Sequence, residues 1–476
     1  MTIIRIPQAG GIGVNKDLSQ LPCSIGTQRY WIYATAFKTY CVTITGGAAV
    51  HTDITHLTPR TGVANQWTST LLSGVPILNT GDTTNVPMAW SLNTANKFVD
   101  LANWPVNTYC ASLRSYRNFL IALNVTKAGV NYPYMVKWCH PAQPGSLPSS
   151  WDITDATKDA GESDLAEGYD PIVDGLQLRD SFIIYKEASI WRMDFIGGPL
   201  VFRFSKVLGT SGALNRNCIV EIDGWHLVLT GSDVMYHDGQ SANSILDKQT
   251  RRTLFQSIDV NSSAACFVFK NPFFNEVFIC YPSIGSTVCD RAMVWNYKDK
   301  TVGFRDLPNL NHANFGPVDN TLAGTWSSDG APWSSDLSTW NGPDFVPSTT
   351  RVIMASNATK MYMLDSSAAF DGALPVSYLE RRGLSLGAPE RRKLVRGVRP
   401  RITGNVGDTV TIQVGSSNDP YTDPVYGSAM NHVIGSTIHD DCLIEGRYIA
   451  IKFSTGTAYQ WRLDSYDLDV VDAGEE

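Results

Sequence analysis

The chain has 476 residues, of which 43% are apolar, 17% charged and 11% aromatic, and its net charge is −7. That length allows one large domain or two to three smaller ones with a substantial core, and the mild acidity argues against a protein that grips phosphates. No apolar run approaches the roughly 18 residues that span a bilayer, and the opening MTIIRIPQAGGIG lacks the charged-then-apolar build of a secretory signal, so no integral membrane segment is expected.

The residue usage points to a turn-rich β protein. Aromatics are plentiful (13 Trp, 19 Tyr, 18 Phe), with 39 Gly and 24 Pro to supply turns. The nine cysteines are scattered, odd in number and free of any C-x-x-C pair. That pattern speaks against a disulfide framework or a zinc site and for synthesis in a reducing cytoplasm.

Residues 1–29 form an N-terminal segment. Its GGIGVNK stretch (10–16) lacks both the P-loop spacing and a βαβ context, and reads as a turn. From Tyr30 onward one pattern recurs: a short apolar strand, a polar or Gly-containing break, then a strand carrying an aromatic. It begins at Tyr30, Val75, Phe119, Phe182, His226, Val277 and Val352, at intervals of 45, 44, 63, 44, 51 and 75 residues. The aromatics of the second strands are Tyr40, Trp90, Trp138, Trp191, Tyr236, Trp295 and Tyr362. A period of about 40–50 residues with several strands per unit marks a β-propeller blade, since one blade cannot bury both its faces and large aromatics fill the wedge between neighbours. The expectation is an all-β fold: a propeller over 30–370 with six to eight blades, seven favoured, and inserts at 145–175 and 310–348. The competing reading is an irregular β-sandwich whose hairpins merely look alike.

Within this region few residues suggest chemistry. In HTDITH (51–56) the two histidines do not have the HExxH spacing of a zinc helix, and read as surface or core histidines. The insert at 151–170 carries Asp152, Asp155, Asp159, Glu162, Asp164, Glu167 and Asp170 against a single Lys158. It lacks the DxDxDG calcium spacing and reads as a solvated loop. In SFIIYKEASIWRMDFI (181–196), Trp191 reads as an inter-blade wedge, and Lys186 and Glu187 as turn residues. TWSSDGAPWSSDLSTW places Trp326, Trp333 and Trp340 seven apart. It is loosely similar to sialidase Asp-box turns with the spacing broken by Gly330, and is better read as a contact-forming insert. No catalytic, cofactor-binding or metal-binding residue is assigned.

After the propeller the pattern changes. Residues 371–476 form an Arg-rich junction and a β-domain with period-2 strands. In TVTIQVG, for example, Val410, Ile412 and Val414 face one side and Thr411 and Gln413 the other. This suits a small β-sandwich. Arg381, Arg382, Arg391, Arg392, Lys393, Arg396, Arg399 and Arg401 put eight of the chain's 38 basic residues into a 21-residue stretch. In an acidic protein that concentration asks for an acidic partner, a neighbouring subunit or DNA phosphate, and the excess of Arg favours bidentate carboxylate pairing. A solvated strand edge protected by charge is the plainer alternative.

The N-terminus MTIIRIPQAGGIGVNKDLSQLP resembles the start of tail nozzle proteins of short-tailed bacteriophages, also called tail hub or packaged-DNA stabilisation proteins. The matching positions are Gly13, Val14, Lys16, Asp17, Leu21 and Pro22. DSFIIYKEASIWRM and GWHLVLTGSDVMYHDG also look like strand pairs of that family, and the order of parts is similar. The resemblance implies a non-enzymatic virion protein, made in the host cytoplasm and lacking cofactors. Such a protein forms a homo-oligomeric ring, usually a hexamer, below the head-to-tail adaptor. It extends the DNA channel without sequence-specific binding, retains the packaged genome and anchors tail fibres or a tip. Two alternatives stay open: a phage receptor-binding or tail fibre protein, and a propeller glycosidase.

Overall fold

A computed structural model describes residues 20–25, 28–45, 48–58, 60, 67–318, 349–358, 360–365, 376–457 and 461–475. They form two compact units, divided between Leu364 and Asp365.

The first unit is a seven-bladed β-propeller. Blade 1 is the antiparallel sheet Gln20–Ile25, Gln28–Ala34, Thr39–Thr45 and Ala48–Asp53. Blade 2 follows as Thr68–Leu72, Val75–Asn79, Met88–Ala89 and Val99–Asp100. Blade 3 is Thr108–Tyr116, Phe119–Lys127, Val130–Trp138 and Gly161–Asp164. Blade 4 is Ile172–Leu178, Ser181–Lys186, Ile190–Phe195 and Phe202–Leu208. Blade 5 is Ile219–Ile222, Trp225–Leu229, Val234–His237 and Ala242–Ser244. Blade 6 comprises Phe267–Asn271, Glu276–Tyr281, Cys289–Asn296 and the first part of the long strand Thr301–Val318. The later part of that strand, paired with Thr349–Ser356 and then Met361–Met363, makes blade 7. The first strand of each blade lies against the first strand of the next, and the seventh lies against the first, so the ring closes.

The recurring strand pairs are the second and third strands of blades 1 to 6 and the last two strands of blade 7. These middle strands are covered on both faces. Phe119–Leu123 and Phe182–Lys186 are buried without a break, as a continuous apolar run predicts for a fully enclosed strand. The aromatic wedges sit between blades. Tyr30 meets Trp90 edge-on at 5.5 Å, Trp138 meets Phe202 at 5.3 Å, and Tyr236 stacks with Trp295 at 6.2 Å. Trp191 is buried in the cluster shared by blades 2 to 4. Trp31, Tyr33, Tyr40 and Val42 of blade 1 pack on Ile353 and Ala355 of blade 7 and close the seam.

Three details depart from the sequence reading. The acidic insert supplies the outer strand of blade 3, because Glu162 is held by Lys127 at 2.8 Å and Lys137 at 3.1 Å. Lys186 is no solvated turn residue. It ends its strand fully buried, its ammonium donating to the Leu165 carbonyl at 3.0 Å and pairing with Asp170 at 3.0 Å, and so it ties the insert down. Finally, a helix, Lys248–Ser257, follows blade 5. Asp247 caps it by accepting from the Gln249 and Thr250 amides, and only Leu254 is buried.

The second unit is a β-sandwich. One sheet orders Ser377–Leu384, Tyr448–Thr455, Thr409–Ser417 and Val425–Tyr426, with Met430–Val433 also on Thr409–Ser417. The other orders Asp440–Gly446, Arg391–Gly404 and Trp461–Glu475. Val410, Ile412 and Val414 point inward as the alternation predicts, against Val395, Val398, Ile449, Ile451 and Phe453.

Candidate functional site

Near the propeller axis one guanidinium joins four blades. Arg114, on the inner strand of blade 3, donates through Nε at 2.8 Å and Nη2 at 2.6 Å to both carboxylate oxygens of Asp174 on the inner strand of blade 4. Its Nη1 donates to the Ser69 carbonyl of blade 2 at 3.0 Å, and Nη2 also reaches Asn217 Oδ1, just before blade 5, at 3.0 Å. Asn217 itself donates through Nδ2 to the Trp67 carbonyl at 3.3 Å, from blade 5 to blade 2. These bonds tie the inner ends of blades 2 to 5 together. Asp174 is buried and accepts further bonds from the Ser112 hydroxyl and the Gly175 and Asn217 amides. Burial alone would raise its pKa, but the Arg114 guanidinium and these donors hold the carboxyl below its usual range. His312, on the inner strand of blade 7, is pushed down to about 4 by burial and by the charge of Arg114.

A second polar network lies between blades 4 and 5. The Tyr185 hydroxyl is 2.6 Å from His226 Nδ1 and 2.6 Å from His237 Nε2, and all three residues are buried. The remaining bonds fix the protons. His226 Nε2 donates to the Gln177 carbonyl at 2.9 Å, so its Nδ1 accepts from Tyr185. His237 Nδ1 accepts from the Gly239 amide at 3.2 Å, so its Nε2 donates to Tyr185. Every proton has a place with both imidazoles neutral. Burial pushes the pKa of His226 down to about 3 and that of His237 to about 4, and pushes the Tyr185 phenol up. A tyrosine between two histidines suggests acid–base chemistry, but these shifts remove every member from useful titration and no solvent reaches them. The network is a structural clasp. Burial likewise pushes the thiols of Cys41, Cys110, Cys139 and Cys266 up to about 12, which leaves them inert as nucleophiles. Those four thiols are free, as are those of Cys218, Cys280, Cys289 and Cys442.

The basic cluster of the second unit finds its counter-charges within the chain. Arg391–Gly404 pairs along its length with Trp461–Glu475, and the facing strand supplies the acids. Arg391 pairs with Asp472, Arg396 with Asp469 at 3.1 Å and Arg401 with Asp467 at 3.0 Å. Arg392 pairs with Glu445 at 2.8 Å, and Arg382 pairs with Glu380 and Asp423. Lys393 is buried and donates to the Arg447 carbonyl at 2.7 Å and to that of Ala388. Arg399 reaches His439 Nδ1 at 3.4 Å. Arg381 is exposed and faces Ile451 in the register. The structure therefore joins seven of the eight to partners in their own sandwich. The cluster's charge by itself no longer calls for an external acid. Trp326, Trp333 and Trp340 lie outside the described residues, as do residues 10–16.

His51 and His56 do not act together. His51 Nδ1 is 3.0 Å from the Tyr33 hydroxyl, whereas His56 lies 3.3 Å from Asp100. Among the described residues no group of three or more His, Cys, Asp or Glu is placed to hold a metal ion. No helix among them is long and apolar enough to cross a membrane.

Sequence reasoning missed the axial cluster. Its signal was present in TYCASLRSY and IVDGLQL, two otherwise weakly charged strands each carrying a single ion, of opposite sign.

No family model and no curated protein matches the chain. Among solved structures it is similar to the extracellular domain of a one-component system from B. thetaiotaomicron, at TM-score 0.43 and 10% identity over 93% of this chain. It spans 59% of that protein. It is also similar to a virginiamycin B lyase from Staphylococcus aureus, at TM-score 0.40 and 9% identity over 74% of this chain and 96% of the lyase. A third is PorZ of Porphyromonas gingivalis, at TM-score 0.37 and 9% identity over 64% of this chain and 34% of PorZ. Likeness at this level carries nothing about activity.

Proposed function

We propose that the chain is a structural subunit of a short-tailed phage tail, forming the nozzle ring below the adaptor. The observation that supports this most is the strand Trp461–Glu475. Among the described residues it pairs only with Arg391–Gly404, so one side of a 15-residue strand remains an open sheet edge. An edge of this length is a template for pairing with another chain unless it is otherwise protected. The neighbouring ladder balances its own charge, which suits an assembly surface better than a DNA grip. Because the Arg114 network ties the inner ends of blades 2 to 5 to one another, the DNA passage of this reading runs between copies arranged around a symmetry axis. The reading includes a hexameric state, contact with the adaptor and with fibre or tip proteins, and no enzymatic role.

The test is the particle formed by the purified full chain, alone and with adaptor rings, viewed by cryo-electron microscopy and weighed by native mass spectrometry. A six-fold ring with an axial opening wide enough for duplex DNA is expected. Monomers that stay monomeric even on adaptor rings would overturn the reading.

A further inference from the structure

At one end of blades 5 and 6 a cleft of about 470 Å³ is walled by aromatic rings. Trp225, Tyr236, Trp295 and Tyr297 line it, with Ile222, Leu227 and Ile245 behind them and Asp223, Lys298 and Lys300 at its mouth. The rings form a connected series. Trp225 meets Tyr236 at 5.3 Å, Tyr236 stacks with Trp295 at 6.2 Å, and Trp295 meets Tyr297 at 6.5 Å. Trp225, Tyr236 and Tyr297 are only half-buried, so ring surface remains open to the cleft.

Both turns that carry the mouth are rigid. Asp223 and Gly224 have φ of +48° and +81°, the two positive values of a type I′ hairpin, for which Asp-Gly is a preferred pair. In the other turn Asn296 Oδ1 accepts from the Lys298 and Asp299 amides at 3.0 Å each, which places Lys298 and Lys300 without a contribution from the ligand. The ammonium of Lys298 pairs with Asp223 at 2.9 Å and lies over the Tyr297 ring. Lys300 has no ion-pair partner among the described residues, and it is the cation left available at the mouth.

The geometry points to a binding site for an acidic sugar unit, a hexopyranose carrying a carboxylate, within an oligosaccharide or polysaccharide. The volume lies within the range of small-ligand sites and takes one or two hexose rings. The C–H face of a pyranose is apolar and slightly positive, and it complements the negative face of an aromatic ring. The Tyr297 hydroxyl and the Asp223 carboxylate are placed for sugar hydroxyls, and the Lys300 ammonium for the sugar carboxylate. A single-stranded nucleic acid would also stack on such rings, but it needs a cationic track along its backbone. Here Asp223 and Asp299 flank a single unpaired lysine. This site does not depend on the ring assembly proposed above, and the assembly experiment does not report on it.

The test is isothermal titration of the full chain with trigalacturonate, a hyaluronan tetrasaccharide and sialyllactose, with lactose and cellotriose as neutral controls. At least one acidic probe is expected to bind saturably. Its affinity should fall about tenfold or more in Lys300→Glu, as one charged contact would predict. Trp225→Ala should abolish binding while Trp225→Phe retains it, with the thermal midpoint of each variant measured to separate loss of the site from loss of the fold. The proposal is overturned if no acidic probe binds, if neutral and acidic sugars bind alike, or if Lys300→Glu leaves affinity unchanged.

Discussion

The propeller axis and the outer face of the sandwich both rest on arginine–carboxylate pairs, yet the two sets are not equivalent. Arg114 and Asp174 are nearly withdrawn from water, with side-chain exposures of 14% and 2%, and each carries several further bonds. Arg396 and Arg401 are 53% and 67% exposed and mostly meet one acid apiece. A buried ion that loses its partner has no solvent to fall back on, whereas an exposed one regains water and is screened by salt. Contact distances are similar in the two places, 2.6 Å for Arg114–Asp174 against 3.1 and 3.0 Å for Arg396 and Arg401, and burial makes the difference. The axial pair joins two neighbouring blades whose sheets share no backbone ladder, while the ladder decorates two strands already joined by backbone bonds.

The contrast can be tested by removing cations from each region. Arg114→Met leaves Asp174 charged and buried beside donors that cannot neutralise it, and is expected to destabilise the propeller by about 3–5 kcal/mol. Denaturant unfolding followed by tryptophan fluorescence checks this, and a loss below about 1 kcal/mol would place the axis in the same class as the ladder.

The Tyr185 clasp makes a contribution that depends on pH. His226 and His237 have folded pKa values pushed down to about 3 and about 4, against 6.5 in the unfolded chain. The unfolded state therefore takes up protons first. The clasp's full contribution is present above about pH 6.5 and declines as pH falls toward 4. Each unit of displacement corresponds to about 1.4 kcal/mol per histidine, so several kcal/mol should be lost by about pH 4. A double variant, His226→Gln with His237→Gln, should flatten the midpoint-versus-pH curve in that window. An unchanged slope would show that the histidines do not set the acid limit.

The smallest effect belongs to the ladder. Arg401→Ala is expected to change stability by less than about 1 kcal/mol, and the change should shrink further in molar salt. A loss of several kcal/mol that persists in high salt would mean that these pairs are effectively desolvated.

The parts of the fold that could be read from sequence are those with one dominant physical requirement. Middle strands such as Phe119–Lys127 and Ser181–Lys186 must be apolar on both faces, so they recur visibly in every blade. The outer strand Gly161–Asp164 reads GESD and vanished into an acidic loop, because only its pairing to Val130–Trp138 and the two lysines on Glu162 make it a strand. The inner strand of blade 7 runs through LNHANFGPV, where Pro317, Gly316, Asn311 and Asn314 gave the appearance of an insert. The helix Lys248–Ser257 was missed because its single buried residue leaves no apolar stripe to detect. Lys186 shows the same limit at one residue. A lysine after an apolar strand is usually solvated, and only the fold brings carbonyls and Asp170 to its end. The aromatic cleft was half visible, with Tyr236 and Trp295 noted as wedges. Trp225 and Tyr297 join them only once two turns distant in sequence are brought together.

The strand Thr301–Val318 links the registers of the two blades it serves. Its first part pairs with Cys289–Asn296 and its later part with Thr349–Ser356, so the outer strand of blade 6 becomes the inner strand of blade 7 with no intervening loop. At other junctions a loop can absorb an error of one residue. Here the only places to absorb a one-residue slip are the register shifts at the junction, opposite Cys289/Arg291 and at Leu310/His312; a slip not taken up there would turn the side chains of blade 7 to the wrong faces. The register of the last blade is thus tied to that of the one before it, and the seam with blade 1 inherits that register.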